Sequence, residues 1–263
     1  MRVDVKRLQS FYASPLGHMA REMIQRRVSA IWNNSDGLDV LCFGFGEAFL
    51  GDVSHGSRRA IFAAPAAQGA STWPEHAPCA TTLVDEDRLP FTDALFDRIL
   101  VVHGIEDSAS PDRLLRELWR IAAPEARILL VVANRSGLWA RAEATPFGHG
   151  RPYSKTQLDA LLQSAMFQPT AWARALYAPP TPWPFITSAG EAWERAGEIG
   201  WRSFGGVVMV EATKRLYVDP KSGGVEPVKV RLRSVKPANA DPARMPQVKV
   251  KKESHKVKVE EAA

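Results

Sequence analysis

The chain has 263 residues, 45% of them hydrophobic and 24% charged, with a mean hydropathy of −0.20. This profile suits a soluble globular domain, and no apolar run approaches the ~20 residues that a bilayer-spanning helix needs. The formal charge of +5 is unevenly spread, since Lys214 to Ala263 alone carry a net +7, so the overall basicity says little about the folded part.

The opening segment from Asp4 to Trp32 reads as a short helix, a Ser-Pro-Leu-Gly turn and an amphipathic helix. In the second helix Met19, Met23, Ile24 and Val28 recur at helical spacing. Charges in MRVDVKRLQS stand where a secretory signal needs apolar residues, so a cytoplasmic location is expected. Leu38 to Phe45 is a short apolar run of the kind buried on both faces of a parallel sheet. Arg59–Ala63, Ala80–Val84, Leu95–Val102 and Ile128–Val132 are predicted as further strands, with a helix over Pro111–Ile121. Ser154 is the expected N-cap of a helix reaching Met166. Two last strands, Thr170–Tyr177 and Phe204–Leu216, flank a Pro-rich loop and a helix near Ser188–Glu198.

Strands alternating with helices predict an α/β fold, a mostly parallel sheet covered on both faces, with an antiparallel edge from the late strands. The expected organisation is an N-terminal helical segment (1–36), one α/β domain (37–217) and a basic tail (218–263). The tail lacks aromatics after Tyr217 and carries a lysine run at Lys249, Lys251, Lys252, Lys256 and Lys258. Disorder is its expected state. Such a run contacts nucleic acid or an acidic protein through salt-sensitive charge alone, and a solubilising role is the plainer reading. Cys42 and Cys79 have neither disulfide-framework nor zinc-ligand spacing, so no metal is expected.

The segment Val40 to Ala48 places Gly44-Phe45-Gly46-Glu47 after a buried strand and before an expected helix. Missing Cβ atoms there let backbone approach a ligand, and the helix start offers free N–H groups. Then come Asp85-Glu86-Asp87-Arg88-Leu89-Pro90-Phe91, Phe96–Val102, Leu114–Ile121 and Pro124–Val132. In content and order these segments resemble the class I, seven-stranded, Rossmann-like S-adenosylmethionine (SAM)-dependent methyltransferases, over about Leu38 to Tyr217. The resemblance implies SAM as cofactor and methyl transfer to an acceptor, with a small molecule the first expectation and protein and RNA left open. No membrane partner is expected, since no apolar run is long enough. It implies cofactor contacts from Gly44, Phe45, Gly46, Glu47, Asp85, Glu86 and His103. In the loop after the fifth strand, His149, Arg151 and Tyr153 are chemically suited to orient or deprotonate an acceptor.

The chain departs from the family at several points. The second strand ends Ile61-Phe62-Ala63-Ala64-Pro65, without the acid that accepts from the ribose hydroxyls, and Gln68 is the nearest polar substitute. Cys42 stands where an acid is usual, Ala48 replaces the third glycine, and the Pro-Gly-Gly turn is Pro124-Glu125-Ala126. These losses leave a second expectation open, a non-catalytic methyltransferase-like protein.

Overall fold

The structure, a computed structural model, describes residues 2–32, 34–46, 48–49 and 54–216. Glu47 and the tail 218–263 therefore lie outside the described residues.

Seven strands form one sheet: β1 (Asp39–Gly44), β2 (Arg59–Pro65), β3 (Thr81–Val84), β4 (Phe96–Val102), β5 (Ala122–Ala133), β6 (Phe167–Ala175) and β7 (Val207–Lys214). Their order is β3-β2-β1-β4-β5-β7-β6. The first five are parallel to one another, while β7 runs antiparallel to both β5 and β6. This is the predicted Rossmann-like sheet with its antiparallel edge. Leu41 faces Ile61 on one side and Ile99 on the other, so β1 lies in the middle and is buried along its whole length. That placement explains the unbroken apolar run from Leu38 to Phe45.

Successive side chains leave opposite faces of the sheet. Val40, Cys42, Leu100, Val102 and Leu129 face a core closed by α1 (Val5–Tyr12) and α2 (Pro15–Ile31). Leu41, Phe43, Ile99, Val101 and Leu130 face the other core, under α3 (Pro111–Ile121) and α4 (Lys155–Ser164). On α3, Leu114, Leu115, Leu118 and Ile121 are fully buried, each contributing about 1.5–3 kcal/mol relative to exposure. Two shorter helices, α5 (Pro184–Ser188) and α6 (Gly190–Gly200), precede β7. Among the described residues no helix is long and apolar enough to cross a membrane.

Local chemistry sets the helix starts. The Asp4 carboxylate accepts from the Arg7 N–H, and Ser14 Oγ accepts from the Gly17 N–H with Pro15 at the first helical position. Ser154 and Gln157 form a reciprocal capping box on α4. Buried Trp32, just past α2, donates its indole N–H to Glu211 at 3.0 Å. Glu211 also accepts from Arg127 and Thr170, tying the end of α2 to β5, β6 and β7.

Several strand boundaries differ from the sequence reading, most of all in β5 and β6. β5 begins at Ala122 rather than Ile128, because α3 runs straight into it and Glu125 turns the chain with φ +61°. β6 begins at Phe167 and includes Pro169, which an edge strand tolerates because its missing N–H deprives no neighbour. β6 stops before Tyr177 because Leu176 takes φ +65°.

Candidate active site

Between β1 and β4 the sheet's connections diverge, β1 leading to β2 on one side and β4 to β5 on the other. Open α/β sheets bind ligands at the carboxyl ends of strands beside such a switch point. Gly44 stands there, paired with Val102, at φ +96°. A Cβ at Gly44 would lie 2.1 Å from the Val102 carbonyl oxygen and 3.0 Å from Gly104 backbone. The glycine is thus required by the β1–β4 approach itself. The Phe45 N–H donates to the Val102 carbonyl at 2.7 Å, and the Phe45 ring and Gly46 are buried.

His103 follows β4 in the left-handed region, φ +49°, a costly conformation for a non-glycine residue. Bonds hold it from several sides. Its Nε2 shares a hydrogen bond of 2.8 Å with the Tyr12 hydroxyl, and its carbonyl accepts from Gln68 Nε2 at 3.3 Å. Its ring packs against Phe147 at 4.8 Å between centroids. Burial pushes the imidazole pKa down to about 3, so the ring is neutral, and it raises the Tyr12 phenol well above its ordinary value.

The N-terminal residues reach across all of this. Arg2, itself buried, donates to the Gly104 carbonyl at 2.9 Å and forms an ion pair with Glu86. The Val5 N–H donates to the Gln68 carbonyl after β2. Tyr12 stacks on Phe45 at 5.5 Å and meets Phe49 edge-on. Three side chains named for the cofactor from the sequence, Phe45, Glu86 and His103, are therefore partnered by Arg2 and Tyr12. Asp85 is exposed, and its carboxylate accepts from the Asp87 N–H at 2.9 Å. Next to the glycine turn remains a cavity of about 320 Å³ lined by Gln9, Tyr12, Arg21, Phe45 and Ala48. Asp85, Glu86 and His103 do not line it.

Of the three residues named for the acceptor, Arg151 and Tyr153 are brought within interaction distance of each other. His149 Nε2 is bonded to the Glu143 carbonyl in its own loop, and Arg151 is exposed. Tyr153 is buried in the core under α4; its backbone continues β5 through a bridge to Asn134, and its hydroxyl lies beside Arg151. Near them lies a residue that sequence reasoning passed over. Glu106 is buried, accepts from the Ala133 N–H at 3.2 Å through Oε1, and leaves Oε2 unpartnered. Burial pushes its pKa up to about 7. In the sequence it stands in a polar loop after β4, His103-Gly104-Ile105-Glu106-Asp107-Ser108, with no local signal of burial.

The residues at the rim suit an adenosine-bearing cofactor in kind, with glycine backbone at the switch point, Glu86 and an aromatic wall. With Arg2–Tyr12 docked, Glu86, His103 and Phe45 are already partnered.

A methyltransferase-domain family model matches residues 59–130, from the start of β2 into β5. A demethylmenaquinone methyltransferase of Parafrankia sp. is 29% identical over 141 residues, 49% of this chain and 49% of that protein. One of Mycolicibacterium vanbaalenii is 28% identical over 137 residues, 50% of this chain and 56% of that protein. The chain thus spans about half the length of the curated relatives it matches. Among solved structures, a SAM-dependent methyltransferase of Thermotoga maritima superposes with a TM-score of 0.56 at 16% identity, covering 80% of this chain and 96% of that one. The strand order and the antiparallel β7 are those of the class I, Rossmann-like methyltransferase fold, and the segment from β2 into β5 matches a methyltransferase domain.

Proposed function

We propose that the protein is a SAM-dependent methyltransferase acting on a small-molecule acceptor, and that its N-terminal segment must leave the rim before the cofactor is seated. The observation that carries this reading is the Gly44 turn at the β1–β4 switch point, within a chain whose β2–β5 segment matches a methyltransferase domain. When bound, SAM supplies an electrophilic methyl group on its sulfonium. The chain's own residues bind, orient and exclude water. Gly44 and Gly46 offer close backbone approach, and Glu47 is next in the sequence. Glu86, released from Arg2, and Asp85 border the nucleoside. Gln68 takes the place of the ribose acid. His103, neutral and held by Gln68, faces the reacting end, and Glu106 is poised by burial to hold a proton near neutral pH. His149, Arg151 and Tyr153 line the acceptor side after their loop rearranges. The relatives named for demethylmenaquinone favour a ring-bearing small molecule as acceptor. We place the reaction in the cytoplasm, and the basic tail 218–263 at most in weak contact with acidic partners.

Displacement has a cost that lowers apparent affinity. The Tyr12–His103, Arg2–Gly104 and Val5–Gln68 hydrogen bonds contribute about 0.5–1.5 kcal/mol each. A closed state favoured by ~3 kcal/mol weakens cofactor binding about a hundredfold.

A second reading, a non-catalytic methyltransferase-like protein, is favoured by the same docking and by the missing acid after β2. Calorimetric titration of SAM into the full chain and into an Arg2→Ala, Tyr12→Phe variant separates the two. Saturable binding that tightens in the variant supports the enzyme. Absence of heat at millimolar SAM in both folded proteins supports the second reading and rejects the first.

A further inference from the structure

A second cavity, of about 320 Å³, opens at the far edge of the sheet beside the end of β6. Its charged lining is Arg27 from α2, Lys155 at the start of α4, Arg174 on β6, Arg202 just after α6, and a single carboxylate, Glu198. Arg27 is ion-paired with Glu198. Among the described residues no carboxylate pairs with Lys155, Arg174 or Arg202. Arg174 Nε is shielded from solvent and has no acceptor. A buried donor left unpaired, among like charges, is an unfavourable arrangement unless an anion completes it. The walls are aromatic. Lys155 Nζ sits 4.9 Å over the Trp172 ring, and buried Tyr177 lines the floor with its hydroxyl donating to the Arg202 carbonyl at 3.2 Å. Ile199 and Phe204, next to this lining in sequence, are 83% and 58% exposed.

We propose that this cavity binds a phosphate-bearing ligand with an apolar body, independently of the cofactor rim. Three uncompensated cations match a phosphate better than a single carboxylate, and guanidinium forks suit its oxygens. Trp172 and Tyr177 offer flat surface to the remainder of the ligand, and a volume near 320 Å³ admits a phosphate with one ring or a short chain. The phosphate can come from a soluble metabolite or from a lipid headgroup, the latter drawing on exposed Ile199 and Phe204.

The test uses the full chain without SAM. Inorganic phosphate and phenyl phosphate are titrated calorimetrically, and co-sedimentation is measured with phosphatidylcholine vesicles with and without phosphatidylglycerol. Binding of phenyl phosphate tighter than inorganic phosphate identifies a soluble ligand; binding to the anionic vesicles alone identifies a headgroup. Lys155 and Arg202 are exposed, so Lys155→Gln and Arg202→Gln leave the fold intact, and each weakens binding about tenfold. Arg174→Gln weakens it at least as much. No binding in any arm, or binding that survives all three substitutions because the basic tail supplies it, overturns the proposal.

Discussion

The Tyr12 hydroxyl and the His103 imidazole share a buried hydrogen bond of 2.8 Å between residues 91 positions apart. It joins the last turn of α1 to the end of β4, and so closes the N-terminal segment over the rim where methyltransferases of this fold class hold their cofactor. Burial holds the His103 ring neutral, and its backbone lies in the left-handed region.

Tyr12→Phe keeps the ring stacked on Phe45 and removes only the hydrogen bond. One such bond is worth about 0.5–1.5 kcal/mol, so SAM affinity is expected to rise about two- to tenfold while thermal stability falls slightly. Calorimetry on the wild type and the variant reads both. An affinity that falls in Tyr12→Phe means the tyrosine helps the cofactor rather than competing with it.

Two buried groups give opposite pH trends. The His103 ring, ordinarily 6.5 and pushed down to about 3, refuses a proton that the unfolded chain accepts; its contribution is complete above 6.5 and is lost as the pH falls towards 3. The Glu106 carboxyl, ordinarily 4.5 and pushed up to about 7, keeps a proton that the unfolded chain releases; its contribution is complete below 4.5 and is lost as the pH rises through 7. Melting temperatures across this range are expected to flatten on the acid side in His103→Asn and between 4.5 and 7 in Glu106→Gln. Unchanged slopes mean that water reaches these groups.

Gly44→Ala tests whether the glycine serves the fold before any ligand. The new methyl would meet the Val102 carbonyl at 2.1 Å in a backbone region that disfavours alanine. A loss of about 1–3 kcal/mol is expected from backbone strain alone, in the absence of SAM. Urea unfolding of the apo protein measures it, and a neutral result means the turn relaxes freely.

Trp32→Phe removes a donor to buried Glu211 without emptying the space beside it. Arg127 and Thr170 remain as partners, so a cost of about 1–3 kcal/mol is expected rather than loss of the fold. The urea midpoint gives the value; an unchanged midpoint means that Glu211 finds another donor.

The sheet was readable because buried parallel strands carry continuous apolar runs, and the helix after Ser154 because its cap marks the start, whereas Ser14-Pro15-Leu16-Gly17, read as a turn, is the cap and first turn of α2. The occupant of the rim was not. Leu8 and Tyr12 show that α1 has a buried face, but the pairing of Tyr12 with His103 is long-range and leaves no local pattern. Arg2, at a chain start, carries no periodic signal at all. Tyr153 was read for its hydroxyl among polar neighbours, whereas burial with Leu158 and Leu162 decided its position. Glu106 drew no reading from the sequence because its partner, the Ala133 N–H, is 27 residues away on β5.

Whether SAM and the N-terminal segment compete for one seat is read most directly by hydrogen exchange of the α1 amides in the full chain, with and without saturating SAM. Competition requires the Leu8–Tyr12 amides to exchange faster once SAM is bound. Slower or unchanged exchange at saturation, or no SAM-dependent change anywhere along the rim, contradicts it.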